Sequence, residues 1–125
     1  IEVATALGQN PKQVFKTLVT VGKSRQHYVF MIPVAEELDL KKAAAAAGEK
    51  SVEMVKSKEL LGLTGYVHGG CSPLGMKKPF PTFADETAAD FATIIFSAGK
   101  IGFQIEAPLA ALEEIVGLKT ARLTV

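Results

Sequence analysis

The stretch Thr93-Ile94-Ile95-Phe96-Ser97-Ala98-Gly99-Lys100-Ile101-Gly102-Phe103-Gln104-Ile105-Glu106 sets two apolar runs, 93–97 and 101–106, on either side of Ala98-Gly99-Lys100. β-Branched and aromatic residues fit the pleated, half-buried surface of a sheet, and a glycine in a short link lets the chain reverse, so the segment predicts a hairpin. A hairpin is an antiparallel pair, whereas a wholly parallel sheet needs long crossovers. A second pair lies upstream: 15–21 is extended and β-branched, 22–27 is a polar connection, and 28–32 reads as a strand able to return along the first.

Helical signals fall between these pairs. Asp39 can cap a helix over 40–47, where five consecutive alanines supply propensity and Gly48 supplies the stop. Two further helices are predicted, over 57–63 ending near Gly65 and over 109–116 ended by Gly117. Residues 51–55 and 82–84 read as short strands, Asp85-Glu86 opens a turn or helix through Asp90, and 120–125 returns to extended chemistry. At the start, 1–7 has helix-like spacing that stops at Gly8, and Asn10-Pro11 offers a capping side chain and a pre-set first turn. The sum is a single α+β domain over 1–125: a mixed, mainly antiparallel sheet curled into a barrel-like core with flanking helices.

Composition narrows the function. The chain has 125 residues, 48% hydrophobic, enough for one compact core. Fourteen basic residues against thirteen acidic ones give a formal charge of +1, so no global field draws it onto DNA or anionic lipid, and any RNA contact must be local. Apolar runs such as 43–47 are far short of the roughly 20 residues of a membrane helix. Cys71 is the only cysteine, which excludes an internal disulfide and thiolate-built zinc and suits a reducing, cytoplasmic setting. Only two histidines occur, His27 and His68, with no Gly-x-Ser-x-Gly elbow or His-x-x-x-His pair. Neither a serine triad, a metal nor a cofactor is expected. Hydrolysis, if present, would fall to backbone donors, a positioned cation and the substrate's own groups.

The loop Gly69-Gly70-Cys71-Ser72-Pro73-Leu74-Gly75-Met76-Lys77-Lys78 is suited to that role. Glycines let main chain approach a ligand and turn successive amides towards one point, which is what an oxyanion requires. A tight turn without ligand is the simpler use of the same residues. Cys71 has no assured base beside it, so a small residue lining the loop is preferred over a nucleophile, and His68 reads as a neighbour of the site rather than its base.

The run from Thr64-Gly65-Tyr66-Val67-His68 through that loop resembles the Gly-x-x-x-Pro loop of the YbaK and prolyl-tRNA synthetase editing family. Phe15-Lys16-Thr17-Leu18 is similar to that family's first core strand, Leu38-Asp39-Leu40-Lys41-Lys42-Ala43-Ala44 to its helix, and Ser97-Ala98-Gly99-Lys100-Ile101-Gly102 to its Ser-x-Gly-Lys-x-Gly hairpin. The matches span about 4–123 in the right order. The resemblance implies hydrolysis of the ester joining an amino acid to the terminal adenosine of tRNA, with cysteine on proline-specific tRNA as the substrate of YbaK-type members. It implies the acceptor end of mischarged tRNA and prolyl-tRNA synthetase as partners. By motif, the catalytic positions would be Lys16, Gly69 and Gly70, and the substrate-binding ones Pro73, Ser97, Gly99 and Lys100.

Each has a plainer reading. Lys16 alternates with Leu18 and Thr20 and either holds adenosine phosphate or ribose or is a solvent-facing strand lysine. Ser97 either binds substrate or satisfies backbone in the turn. Lys77, Lys78 and Lys100 form either a phosphate-binding patch or solvated surface. A catalytically silent tRNA-binding module, or a deacylase for alanine or serine, remain the alternatives. Members of that family also begin with a helix and strand ahead of the segment that resembles 1–8, so either the chain continues before Ile1 or part of the substrate wall is lost.

Overall fold

The computed structural model describes residues 9–67, 69–77, 79–100 and 102–125. The helix end expected at 1–8 lies outside them, as do His68, Lys78 and Ile101. In chain order the elements are β1 (Phe15–Gly22), β2 (His27–Pro33), α1 (Leu40–Ala47), β3 (Val52–Met54), α2 (Ser57–Thr64), β4 (Thr82–Asp85), a 3-10 turn (Glu86–Asp90), β5 (Ile94–Ser97), β6 (Gln104–Ala107), α3 (Leu109–Val116) and β7 (Lys119–Ala121).

β1 and β2 form the expected hairpin, with Lys16 opposite Ile32, Leu18 opposite Phe30 and Thr20 opposite Tyr28. β3 adds antiparallel to the other side of β1 along Thr20–Gly22. β4 then runs parallel to β2, and β7 parallel to β4, giving the order β3-β1-β2-β4-β7. β5 and β6 make a separate antiparallel pair, tied to the large sheet by a parallel bridge from Ile95 to Val14. The strands are mixed as expected. They do not close, however: among the described residues there are two sheets and no barrel.

The central strand β2 is buried from Tyr28 to Pro33, which is why it reads as one continuous apolar run. One face packs Phe30 and Ile32 against Ala43 and Ala44 of α1; the other packs Met31 and Phe15 against Phe96 of β5 and Leu112 of α3. Each fully buried phenylalanine contributes about 1.5–3 kcal/mol relative to exposure. α1 is fixed by local chemistry at both ends, since the Asp39 carboxylate accepts from the Lys41 and Lys42 amides and Gly48 ends it at φ 72°.

Two boundaries differ from the sequence reading. The 101–106 strand begins only at Gln104, because Gly102 sits at φ 88° and the Phe103 amide donates to the Lys100 carbonyl at 3.0 Å. The extended tail over 120–125 is β7 plus a single bridge from Thr124 to Leu38, since Leu123 turns into the core.

Asp85 closes the sheet's far side. Its buried carboxylate accepts from the Leu123 amide at 2.9 Å and from the Thr87 hydroxyl at 2.7 Å. Hydrogen bonds to a carboxylate are about twice as strong as neutral ones, and losing the acceptor strands a buried N–H. Asp85→Ala should therefore lower unfolding free energy by about 2–3 kcal/mol in urea titration; an unchanged midpoint would show the Leu123 amide finding water.

Candidate active site

Because the β3 segment covers β1 only from Val19 onwards, the Phe15–Leu18 part of β1 is left as an edge, and a cavity of about 300 Å³ lies along it. Residues of both parities, Lys16 and Leu18 as well as Phe15, Thr17 and Val19, line this cavity. Successive strand side chains point to opposite faces, so only a hollow at the strand's edge meets both sets. Leu60 of α2 supplies part of the apolar wall, and Gly69, Cys71, Ser97, Gly102 and Phe103 line it as well.

Lys16 is half-buried there, and among the described residues no carboxylate lies within ion-pair distance of it. Beside it the Thr17 hydroxyl oxygen is buried without a hydrogen-bond partner among the described residues. A half-buried cation without a carboxylate partner favours an anionic ligand, because burying the charge alone is unfavourable.

The 66–77 loop is anchored by fully buried Thr64 at the end of α2. Its hydroxyl accepts from the Tyr66 amide at 3.0 Å while donating to the Leu60 carbonyl at 2.9 Å, and its carbonyl accepts from the Lys77 amide at 3.1 Å. The Tyr66 hydroxyl then donates to the Leu74 carbonyl at 2.5 Å. The ring packs so closely on the 97–103 turn that a Cβ on Gly99 would fall 2.6 Å from its Cε1. Tyr66 thus clamps the glycine loop to the hairpin tip. Nothing in the sequence spacing marks it for this, since its partners lie 8 and 33 positions away.

Gly69 takes φ 84°, and a Cβ there would meet nothing within 4 Å, so its main chain is open to the cavity. Among the described residues no acceptor is bonded to the amides of Gly69 or Cys71. Gly70 differs from expectation: it does not line the cavity, and its amide donates to the Val67 carbonyl at 3.0 Å, which removes it as an oxyanion donor. Pro73 is buried behind the loop, lining a second hollow with Leu74, Phe80 and Val116, so it shapes the loop from the far side. Ser97 unites its two readings, because its side chain lines the cavity while its hydroxyl accepts from the Gly99 amide at 3.1 Å. Gly99 is set back against Tyr66, and Lys100 is exposed outside the cavity with Nζ 5.7 Å from the centre of the Phe103 ring. Lys77 is exposed and also off the cavity, so these lysines do not converge on its wall.

Lys16 and Cys71 are the only ionisable side chains among the described lining residues. Burial pushes the Cys71 thiol up from its ordinary range, against a smaller lowering by Thr64. It is therefore a neutral thiol near pH 7 and a poor nucleophile. Among its described residues the site offers a cation, main-chain groups and a hydroxyl, and no carboxylate or histidine.

A family model for the aminoacyl-tRNA editing domain matches residues 1–115. The chain belongs to the aminoacyl-tRNA editing domain family. Among curated relatives, this editing domain is 49% identical over 122 residues to a protein of Enterococcus faecalis named Cys-tRNA(Pro)/Cys-tRNA(Cys) deacylase EbsC, covering 98% of the chain and 74% of the relative. A solved structure described as a trans-editing enzyme for prolyl-tRNA synthetase superposes with TM-score 0.87 at 30% identity, covering 99% of the editing domain and 78% of that chain. A hypothetical protein of 23% identity superposes with TM-score 0.90 over 99% of the chain and 82% of its own length, which speaks to the shared fold. No helix among the described residues is long and apolar enough to cross a membrane.

Proposed function

We propose that this editing domain acts in trans to hydrolyse the ester between an amino acid and the terminal adenosine of mischarged tRNA, with Cys-tRNA(Pro) as its substrate. The observation that carries the reading is the meeting of Lys16, Gly69, Cys71 and Ser97 on one cavity, with no carboxylate or histidine among its described lining residues. Membership of the editing family and the name of the 49% identical relative support the substrate class.

In this reading the scissile carbonyl oxygen lies against the Gly69 and Cys71 amides, which receive the charge that develops as the carbonyl carbon becomes tetrahedral. Lys16 holds the ribose or terminal phosphate and fixes the ester in register with those donors. Ser97 completes the polar wall. Gly99 and Pro73 act at one remove, by seating Tyr66 and the loop, and Lys100 meets a phosphate outside the cavity. The nucleophile is water or the substrate's own thiol, with the neighbouring ribose hydroxyl relaying the proton to the leaving oxygen. Prolyl-tRNA synthetase, in the cytoplasm, is the partner from which such a tRNA would be released.

The test is single-turnover deacylation of labelled Cys-tRNA(Pro), with Ala-tRNA(Pro) and Ser-tRNA(Pro) as competitors. The proposal expects fast release of cysteine and slower release of the others; binding without turnover would identify a silent tRNA-binding module instead. Because Cys71 is a buried neutral thiol, Cys71→Ala should keep activity within about 3-fold, an effect of lost packing alone. A loss beyond 100-fold, roughly 2.7 kcal/mol, would make the thiol a participant.

A further inference from the structure

Phe103 is 60% exposed and, among the described residues, the one aromatic side chain turned mostly to solvent. The other phenylalanines pack in the three apolar clusters of the core. Exposing a ring of this size forgoes about 1.5–3 kcal/mol of burial. Phe103 also borders the cavity, so its ring stands on the rim.

That position is built. Glycines at φ 102° and 88° flank the turn, the Ala98 amide donates to the Phe103 carbonyl at 2.9 Å, and the Phe103 amide donates to the Lys100 carbonyl at 3.0 Å. The same turn brings the Lys100 ammonium to 5.7 Å from the ring centre. With the Lys100 ammonium over the ring, an exposed aromatic surface and a cation meet at one point, a combination that can take a nucleobase by stacking and its phosphate by charge.

Resting on the deacylase reading above, we propose that Phe103 is the stacking platform for the terminal base of the tRNA acceptor end, with Lys100 gripping an adjoining phosphate. The platform explains how a protein of near-neutral charge engages tRNA: it needs one base and one or two phosphates rather than a basic surface.

The experiment measures KM and kcat for Cys-tRNA(Pro) with Phe103→Ala, Phe103→Leu and Phe103→Trp, folding being checked by circular dichroism. Stacking predicts that Ala and Leu each raise KM roughly 10-fold with kcat within about 2-fold, and that Trp restores the wild-type value. A Leu variant with wild-type KM would reduce the ring to an apolar contact and overturn the proposal. A second arm compares uncharged tRNA ending in CCA with tRNA lacking the terminal adenosine. Wild type should prefer the former and Phe103→Ala should bind both alike; a preference that survives in Phe103→Ala would place the base elsewhere. Lys100→Gln should lessen the slope of log affinity against log salt by about one, and an unchanged slope would remove Lys100 from the phosphate. Were wild-type protein inert on Cys-tRNA(Pro) yet still selective for the CCA end through Phe103, the deacylase reading would fail and the platform would stand.

Discussion

Lys16→Ala should abolish useful deacylation while leaving the fold intact, lowering kcat/KM by roughly 100-fold to 1,000-fold, about 2.7–4 kcal/mol of transition-state stabilisation. The side chain is half-buried in the cavity wall and, among the described residues, has no carboxylate partner, so removing it leaves no stranded opposite charge. Its backbone stays paired with Ile32. Lys16→Met should fail equally, because it keeps the apolar stem and loses only the ammonium. Lys16→Arg should recover little, since a planar fork does not occupy the space of a compact ammonium in a small cavity. Single-turnover rates beside thermal midpoints make the check. Retained activity in Lys16→Met would assign the lysine a packing role.

The second large effect is expected away from any reacting atom. Gly99→Ala would set a Cβ 2.6 Å from Cε1 of Tyr66 and would also hold alanine at φ 102°. Strain of about 1–2 kcal/mol from the backbone and about 1–3 from overpacking should cost about 2–5 kcal/mol in stability. Tyr66 must also swing away, which breaks its bond to the Leu74 carbonyl and frees the glycine loop. Deacylation should drop at least 10-fold, since a displacement near 1 Å of main-chain donors can cost about 100-fold. Tyr66→Phe tests the hydroxyl alone and should lose activity with less stability. In a double-mutant cycle, Gly99→Ala with Tyr66→Leu should cost less than the sum of the two. Strict additivity would show that the clamp does not exist.

What could be read in the sequence follows how local its cause is. α1 is legible because Asp39 and Gly48 each fix one end through contacts made within a single helical turn. The β1–β2 hairpin was legible from two apolar runs and a polar link, and Lys16 emerged from a resemblance carried by its neighbours. The parallel placing of β4 beside β2 was not legible, because it depends on Phe83 stacking on Phe30 across some fifty residues. The absence of barrel closure has the same origin, since it is decided by which strand edges meet. Within the site, glycine content announced a ligand-shaped loop but not which amides stay open. Gly70 is committed to Val67 by the local turn, whereas the Gly69 and Cys71 amides carry no acceptor among the described residues. Thr17 and Phe103 escaped notice because a strand hydroxyl and a hairpin phenylalanine look ordinary until a cavity is found against them.

The central claim, that main-chain amides rather than an ionisable side chain receive the carbonyl oxygen, is tested most directly by a crystal structure with a non-hydrolysable amide analogue of cysteinyl-adenosine. The account predicts the carbonyl oxygen about 3 Å from the Gly69 and Cys71 nitrogens with the Lys16 ammonium on the ribose or phosphate. An analogue whose carbonyl turns away from that loop, or that binds outside the edge of β1, would contradict it.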